Sequence, residues 1–309
     1  MEQAKTIVIK GLAILLAFFW LLPSVGNADP HKLTCGKEKT IGEALHELKP
    51  GDTLLVSGTC NENVVILEEV HRITLDGQGT ATINGGPATL TGLNVVLIRG
   101  TGITIKGFTI TGGRDGINLN SAGSATLDGN FIQNTGRIGV NVNNSSFARI
   151  LNNTIQNNPD AGILVNGGST VDIGFTGTPD DRVPSPNIIQ NNSRGISISR
   201  SSVAQIGYNT ITNNTGRGIQ VTNNSHAQIG GLSNTGPSGN TVQGNGSDGV
   251  RVNRASHGDI SGNTINSNGG DGIRVEENSG VNLDEANTTT ANNGGAGSGA
   301  DSALMPGVA

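Results

Sequence analysis

The stretch LNNTIQNNPDAGILVNGGS, Leu151–Ser169, holds five asparagines in nineteen residues and sets Gly162 directly before the aliphatic run Ile163–Val165. The same arrangement recurs along the chain. The glycine stands at 116, 139, 162, 195, 218, 249 and 272, at intervals of 23, 23, 33, 23, 31 and 23 residues. Two apolar residues follow it each time with one residue between them, from Ile117/Leu119 to Ile273/Val275. A second apolar pair keeps nearly the same period, from Ala125/Leu127 to Val281/Leu283. An asparagine marks the third position: Asn130, Asn153, Asn187, Asn209, Asn240 and Asn263. A fixed period of this size means stacked units. Apolar alternation over only three to five residues means short strands rather than helices.

A propeller blade needs about 40–45 residues. The period of 23 holds three short strands and three turns, which is one coil of an all-β parallel β-helix solenoid. One coil cannot bury its own apolar residues. Stacking at a strand spacing of about 4.8 Å does so and places like residues above one another. The asparagine column is expected to be an internal ladder at a bend, hydrogen-bonded from coil to coil. The glycine fits an entry bend where a Cβ would clash or where φ is positive.

Composition agrees. Of 309 residues 48 are glycine, 14% are charged and 3% are aromatic, so the core is built from stacked Ile, Val and Leu. Residues 1–28 read as a signal peptide, with Lys5 and Lys10, an apolar run from Gly11 to Leu22 and a cut after Ala28. An uncleaved anchor is the alternative, though the run is short for a membrane span. Its removal takes away two lysines and one glutamate and leaves a chain more acidic than the whole, whose net charge is −5. Nucleic-acid binding is therefore not expected. No membrane span is expected after cleavage, and the protein is expected to be secreted, periplasmic or on the cell surface. Cys35 and Cys60, the only cysteines, are expected to form a disulfide in an exported chain; two buried free thiols are the alternative. Thr40–Glu43 matches a capping box, and Ile41, Ala44, Leu45 and Leu48 follow at helical spacing. An amphipathic helix over about 40–48 is thus expected to cap the first coil. The β-helix domain is expected over 29–290. Residues 291–309 are Gly/Ala/Ser-rich and read as a disordered tail.

The repeats GNFIQNTGRIGVNV, NNTIQNNPDAGILV, YNTITNNTGRGIQV and GNTINSNGGDGIRV resemble the right-handed parallel β-helix repeats of the pectate-lyase-like superfamily. The opening TIGEALHELKPGDTLLVSGTCNENVVI is similar to the cap and first coil of such proteins. The resemblance covers about residues 40–290 and implies the right-handed fold. It implies less about activity, because the superfamily holds lyases, hydrolases, epimerases and proteins without known activity. The hydrolase steps N-T-D, G-H-G and R-I-K are missing, the epimerase D-P-H-D is not matched by ADPHK at the leader's end, and no run matches the calcium-binding acids of pectate lyases.

Chemistry is expected in two places. Two insertions, GFTGTPDDRVPSP and GGLSNTGPSG, leave the same corner on either side of one uninterrupted coil, so they are expected to frame a shallow cleft with Asp180, Asp181, Arg182 and Tyr208. Paired carboxylates can hold calcium, which is the one ion kept open; no other cofactor is expected. The second place is the outward face of the Gly-aliphatic strand, expected to be a flat polar strip. Asn118, Asn141, Leu164, Ser197, Gln220, Arg251 and Arg274 would line it, with Asp115, Arg194, Arg217, Asp248 and Asp271 just before and Glu276 just after. Arginine suits bidentate carboxylate recognition, so acidic sugars are conceivable ligands. Asp248, Arg251, Asp271 and Arg274 are the candidates for catalysis. The bland reading is a solvated face with cross-strand ion pairs worth little singly. The histidines show no metal spacing, and the position of His226 and His257 reads as a turn shared with Ser146 and Gly280. The expectation is an exported, non-catalytic β-helix that binds glycan or a surface protein. The alternative is a polysaccharide lyase or epimerase, with a hydrolase less favoured.

Overall fold

A computed structural model describes residues 30–37, 39–177, 181–231, 238–283, 287–295, 297–299 and 304–306. The segment expected to be a signal peptide lies outside them. The chain folds as a right-handed parallel β-helix. The Gly-aliphatic strands stack into a ten-stranded sheet, from Val64–Ile66 to Gly297–Gly299, called here the first sheet. The Ala-x-Ile strands and the strands after the ladder asparagine form the second and third faces. In the early coils these two run together in the strands Thr74–Asn84 and Ile103–Thr111. Register is kept from coil to coil: Val140 pairs with Ile163 and Ile117, Ala148 with Val171 and Ala125, Ile155 with Ile132 and Ile189. These aliphatic columns fill the core, and Phe108 is the largest fully buried side chain. Alternation along each strand aims every second residue inward.

The paired asparagines of Leu151–Ser169 divide turn and ladder roles between them. In each Asn-Asn pair the first residue takes a left-handed turn, Asn152 at φ 55° and Asn157 at φ 56°, which asparagine tolerates. The second residue joins a buried ladder. Asn153 Oδ1 accepts from the Asn130 backbone N–H at 2.9 Å and Nδ2 at 3.0 Å. Its Nδ2 donates to Leu127 O at 2.9 Å and Asn187 Oδ1 at 3.0 Å. All four hydrogen-bonding positions of the amide are used. The column continues through Asn209, Asn240 and Asn263 to Asn287. A second ladder, unforeseen in the sequence reading, runs from Thr135 through Asn158, Asn192, Asn214, Asn245 and Asn268 to Asn292. Serines form a third column: Ser146 N–H donates to Ser169 Oγ at 3.2 Å and Ser169 N–H to Ser202 Oγ at 3.2 Å. The recurrent glycine is needed for space, not for positive φ. A Cβ on Gly162 would lie 2.7 Å from Ile189 Cγ2 and 2.8 Å from Asn192 Nδ2.

The cap departs from expectation in two ways. The helix is Ile41–Leu45, capped by Thr40 and Glu43 in a capping box, and stops short of residue 48. Its last turn tightens into i→i+3 bonds, Glu47 N–H to Ala44 O at 3.0 Å and Leu48 N–H to Leu45 O at 3.3 Å, before Pro50 rules out further helix. Glu62 also accepts from the Ile41 and Gly42 N–H groups at 2.8 and 3.1 Å. A strand, His31–Thr34, precedes the helix and pairs with Thr53–Ser57. Cys35 and Cys60 form the expected disulfide. The segment expected to be a disordered tail contributes Gly297–Gly299 to the first sheet and Leu304–Pro306 to the second. Ladder pairing uses backbone groups, so small side chains do not forbid it. No helix among the described residues is long and apolar enough to cross a membrane.

Candidate functional site

The outward face of the first sheet is recessed over part of its length rather than flat. A depression of about 570 Å³ spans six consecutive strands, with Leu97, Asn118, Asn141, Leu164, Ser197 and Gln220 as its floor. That is a length of about 24 Å at a strand spacing of about 4.8 Å. Side chains at the entry to the strands raise one wall, among them Arg114 and Arg137 in bends and Arg194 at the first position of its strand. Turn side chains after the strands raise the other, among them Asn120, Asn143, Asn166, Arg200 and Arg254. Five arginines and no carboxylate line the groove. Arg137 grips the fully buried Asp115 in a fork, 2.8 and 2.7 Å, and Asn118 and Asn141 also donate to that carboxylate. Arg194 is paired with Asp160, and Arg254 with Glu277 at 3.2 Å. Arg114 and Arg200 carry no ion pair among the described residues. Asn94 Oδ1, Arg114 Nε and Thr222 Oγ1 are buried in the lining without a hydrogen-bond partner there.

The candidates for catalysis lie beyond the groove, on the same face toward the C-terminal coils. Asp248 is 4% exposed and sits 3.8 Å from both Arg217 and Arg251. Arg251 also pairs with Glu276, while Arg274 lies 3.6 Å from Asp271 and 2.8 Å from Glu276. These residues are thus brought together, as an ion-pair network. Burial lowers the proton affinity of the Arg217 and Arg251 guanidiniums. For Arg217 the nearby Asp248 opposes that shift; for Arg251 the neighbouring Arg217 reinforces it.

The cleft expected between the insertions is bridged. Phe175–Thr176 pairs antiparallel with Val183–Pro184 in a small hairpin. Arg182 stacks over the Phe175 ring at 4.4 Å and donates to Gln205 Oε1 at 2.9 Å, Gln228 Oε1 at 3.2 Å and Gly230 O at 3.4 Å. It therefore reaches across the coil meant as the cleft floor, to the root of the second insertion. Burial lowers its proton affinity, while Tyr208 and Asp172 work the other way. Asp180 lies outside the described residues, Asp181 is exposed, and Tyr208 is a half-buried bend residue at φ 66°.

A further cluster was hidden from the sequence. His226 and His257 are not in a turn shared with Ser146. They open adjacent second strands and align with Phe147, Thr170, Val203 and Gly280. Their rings stack at 5.5 Å, and Asp259 faces both. Burial alone would raise the Asp259 carboxyl, but hydrogen bonds from Asn282, His226 and His257 hold it below the usual range.

A family model described as "Right handed beta helix region" matches residues 54–235. No curated protein matches the chain. Among solved structures, pectate lyase Pel9A superposes with a TM-score of 0.56 at 11% identity, over 90% of this chain and 80% of that one. The A-module of the mannuronan C-5 epimerase AlgE6 of Azotobacter vinelandii gives 0.53 at 13%, over 90% and 89%. The enzymatically active domain of tailspike protein 2 of bacteriophage CBA120 gives 0.53 at 13%, over 86% and 43%. At such identities the likeness is one of fold.

Proposed function

The chain belongs to the right-handed β-helix family, and we propose that within it this protein is an exported, non-catalytic module whose first-sheet groove holds an acidic polysaccharide. The observation that carries this reading is the lining: five arginines, a floor of four amide or hydroxyl side chains and two leucines, and no carboxylate. A guanidinium fork matches a uronate carboxylate. Arg114 and Arg200 have no ion pair among the described residues, so they would engage an anion without first giving up an internal partner. The unpartnered polar atoms Asn94 Oδ1 and Thr222 Oγ1 can be matched by sugar hydroxyls.

The alternative is a lyase or epimerase acting on the same polymers. It is favoured by Arg217 and Arg251, whose proton affinity burial lowers. They flank Asp248 at the groove's C-terminal continuation. Yet arginine stays protonated near neutral pH, which suits charge recognition better than proton removal. A hydrolase is less supported, because Asp115, Asp160, Asp248, Asp271 and Glu276 are all engaged by arginine and hydrolysis needs two carboxyl groups with separate roles.

The test is retention on immobilised polyuronates and neutral glucans, with and without calcium, alongside product analysis. Binding to polyuronates should fall as salt rises. The double variant Arg114→Ala/Arg200→Ala should bind at least about 10-fold more weakly, an order set by about 1.4 kcal/mol of lost charge-assisted bonding. New unsaturation or altered uronate configuration would establish the alternative instead. Indifference to every polyuronate would overturn both.

A further inference from the structure

The second sheet carries a feature that the groove reading does not use. Parallel register places His226 and His257 at the same position of consecutive strands. Their imidazoles stack with centroids 5.5 Å apart and planes 18° apart. Asp259 follows two residues after His257, on the same strand and the same face. His226 Nε2 lies 2.9 Å from Asp259 Oδ2, and His257 Nε2 lies 3.2 Å from Asp259 Oδ1. One ligand atom from each of the three residues falls within 4.8 Å of the others. We propose that His226, His257 and Asp259 form a binding site for one divalent transition-metal ion of the zinc class, held between two successive coils.

Three observations carry the assignment. The first is size. Bonds of about 2.0–2.1 Å to imidazole nitrogen and carboxylate oxygen set a tetrahedral edge of about 3.3 Å between ligand atoms. The two nitrogen–oxygen separations are each close to such an edge, though they run to different oxygens of the Asp259 carboxylate, and modest side-chain rotation brings both nitrogens to one of them. The second is hydrogen-bond mismatch. Asn282 Nδ2 donates to Asp259 Oδ1 at 2.7 Å and also lies 3.2 Å from His257 Nε2. His257 Nε2 cannot both donate a proton to Asp259 and accept one from Asn282. A cation taking the lone pairs of both imidazoles and one carboxylate oxygen removes that conflict, and leaves Asn282 to orient the carboxylate from outside the ligand set. The third is that packing does not demand the pair. The same column holds Phe147, Thr170, Val203 and Gly280 in other coils, so the stack tolerates almost any side chain there.

The donor set also chooses the ion. Two imidazoles and a carboxylate suit zinc, copper, nickel or cobalt. Calcium asks for six to eight oxygens and is not served. The three side chains are 31–44% exposed, which gives an entry path and leaves a coordination position open to water. The strand backbones fix where the ligands begin, so little ordering remains for binding.

The experiment uses the full chain, stripped with chelator and titrated with Zn²⁺ by calorimetry and with Co²⁺ by visible absorption. One ion per chain with the intense bands of low-coordinate Co²⁺ is the expected result. His226→Val/His257→Val, which installs the residue found at 203, should weaken binding more than 100-fold. Asn282→Ala should weaken it about 10–100-fold. His46→Ala/His71→Ala should leave it unchanged. Asp259→Asn provides a shape-conserving loss should the valine variant fail to fold. No saturable uptake of either ion, or uptake undiminished in a folded cluster variant, overturns the assignment.

Discussion

Asparagine does two jobs in this chain, and they separate within a single dipeptide. Asn157 supplies a left-handed turn and Asn158 a buried ladder amide. Removing a ladder amide therefore leaves several buried groups unpaired at once. Asn187→Ala strips the Asn153 N–H and one Nδ2–H of their shared acceptor, and leaves Ile150 O with the Gly174 N–H alone. The expected loss is about 3 kcal/mol or more, since each buried orphan costs about 1–3 kcal/mol; denaturant unfolding measures it. Gly195→Ala meets a different obstacle, with its Cβ 2.4 Å from Gly218 O and 2.6 Å from Ile211 Cγ2. Overpacking of this kind costs about 1–3 kcal/mol, visible as a lowered Tm. The first asparagine column could be read in the sequence because it follows the second strand at a constant distance. The second was equally present, five residues after the first in each coil (Asn153 and Asn158, Asn209 and Asn214, Asn263 and Asn268). It was missed because its first member is Thr135 and because turns are expected to be rich in asparagine anyway.

Single elements were legible where local chemistry decides them, and obscure where contacts between coils decide them. The capping box fixed the start of the helix at Ile41; its end depended on the tightening before Pro50, which side-chain periodicity does not report. The insertions were visible as breaks in the period, yet their direction was not. Arg182 turns the first one back onto the second sheet, through the Phe175 ring and two glutamine amides. Arg182→Ala should therefore free the hairpin 175–184 without loosening the stack. Limited proteolysis should cut there faster, while the Tm moves little, because local opening is distinct from global unfolding. Equal losses of both would mean that the hairpin is part of the cooperative core. The two histidines align in the sequence once the second insertion is allowed for, but their position reads as a turn there, whereas pairing between coils makes it the first residue of a strand and brings Asp259 to the same face.

At the scale of the molecule, stability is a sum of coils and their interfaces, so the ends govern unravelling. The Cys35–Cys60 disulfide ties the strand before the cap to the first full coil, across 25 residues. Cys35→Ala/Cys60→Ala should cost about 3 kcal/mol. Hydrogen exchange should rise first over residues 31–66, with the later coils protected; uniform loss would contradict a stack that opens from its end. The groove is a property of this scale too. The period shows which residues share a row, but not how far the flanking turn side chains rise, and so its concavity was not legible. The unbroken register has a further consequence, and it is genetic. Coil 139–161 carries no insertion. Its in-frame loss would set Gly162 directly after Ile138, bring Asn187 to Asn130 and Asn192 to Thr135, and leave every column continuous. A gene built this way can gain or shed whole coils by unequal recombination without passing through an unfoldable intermediate. Length is then a trait that selection can adjust separately from sequence, and the reach of the groove along a polymer would change with it, one strand at a time.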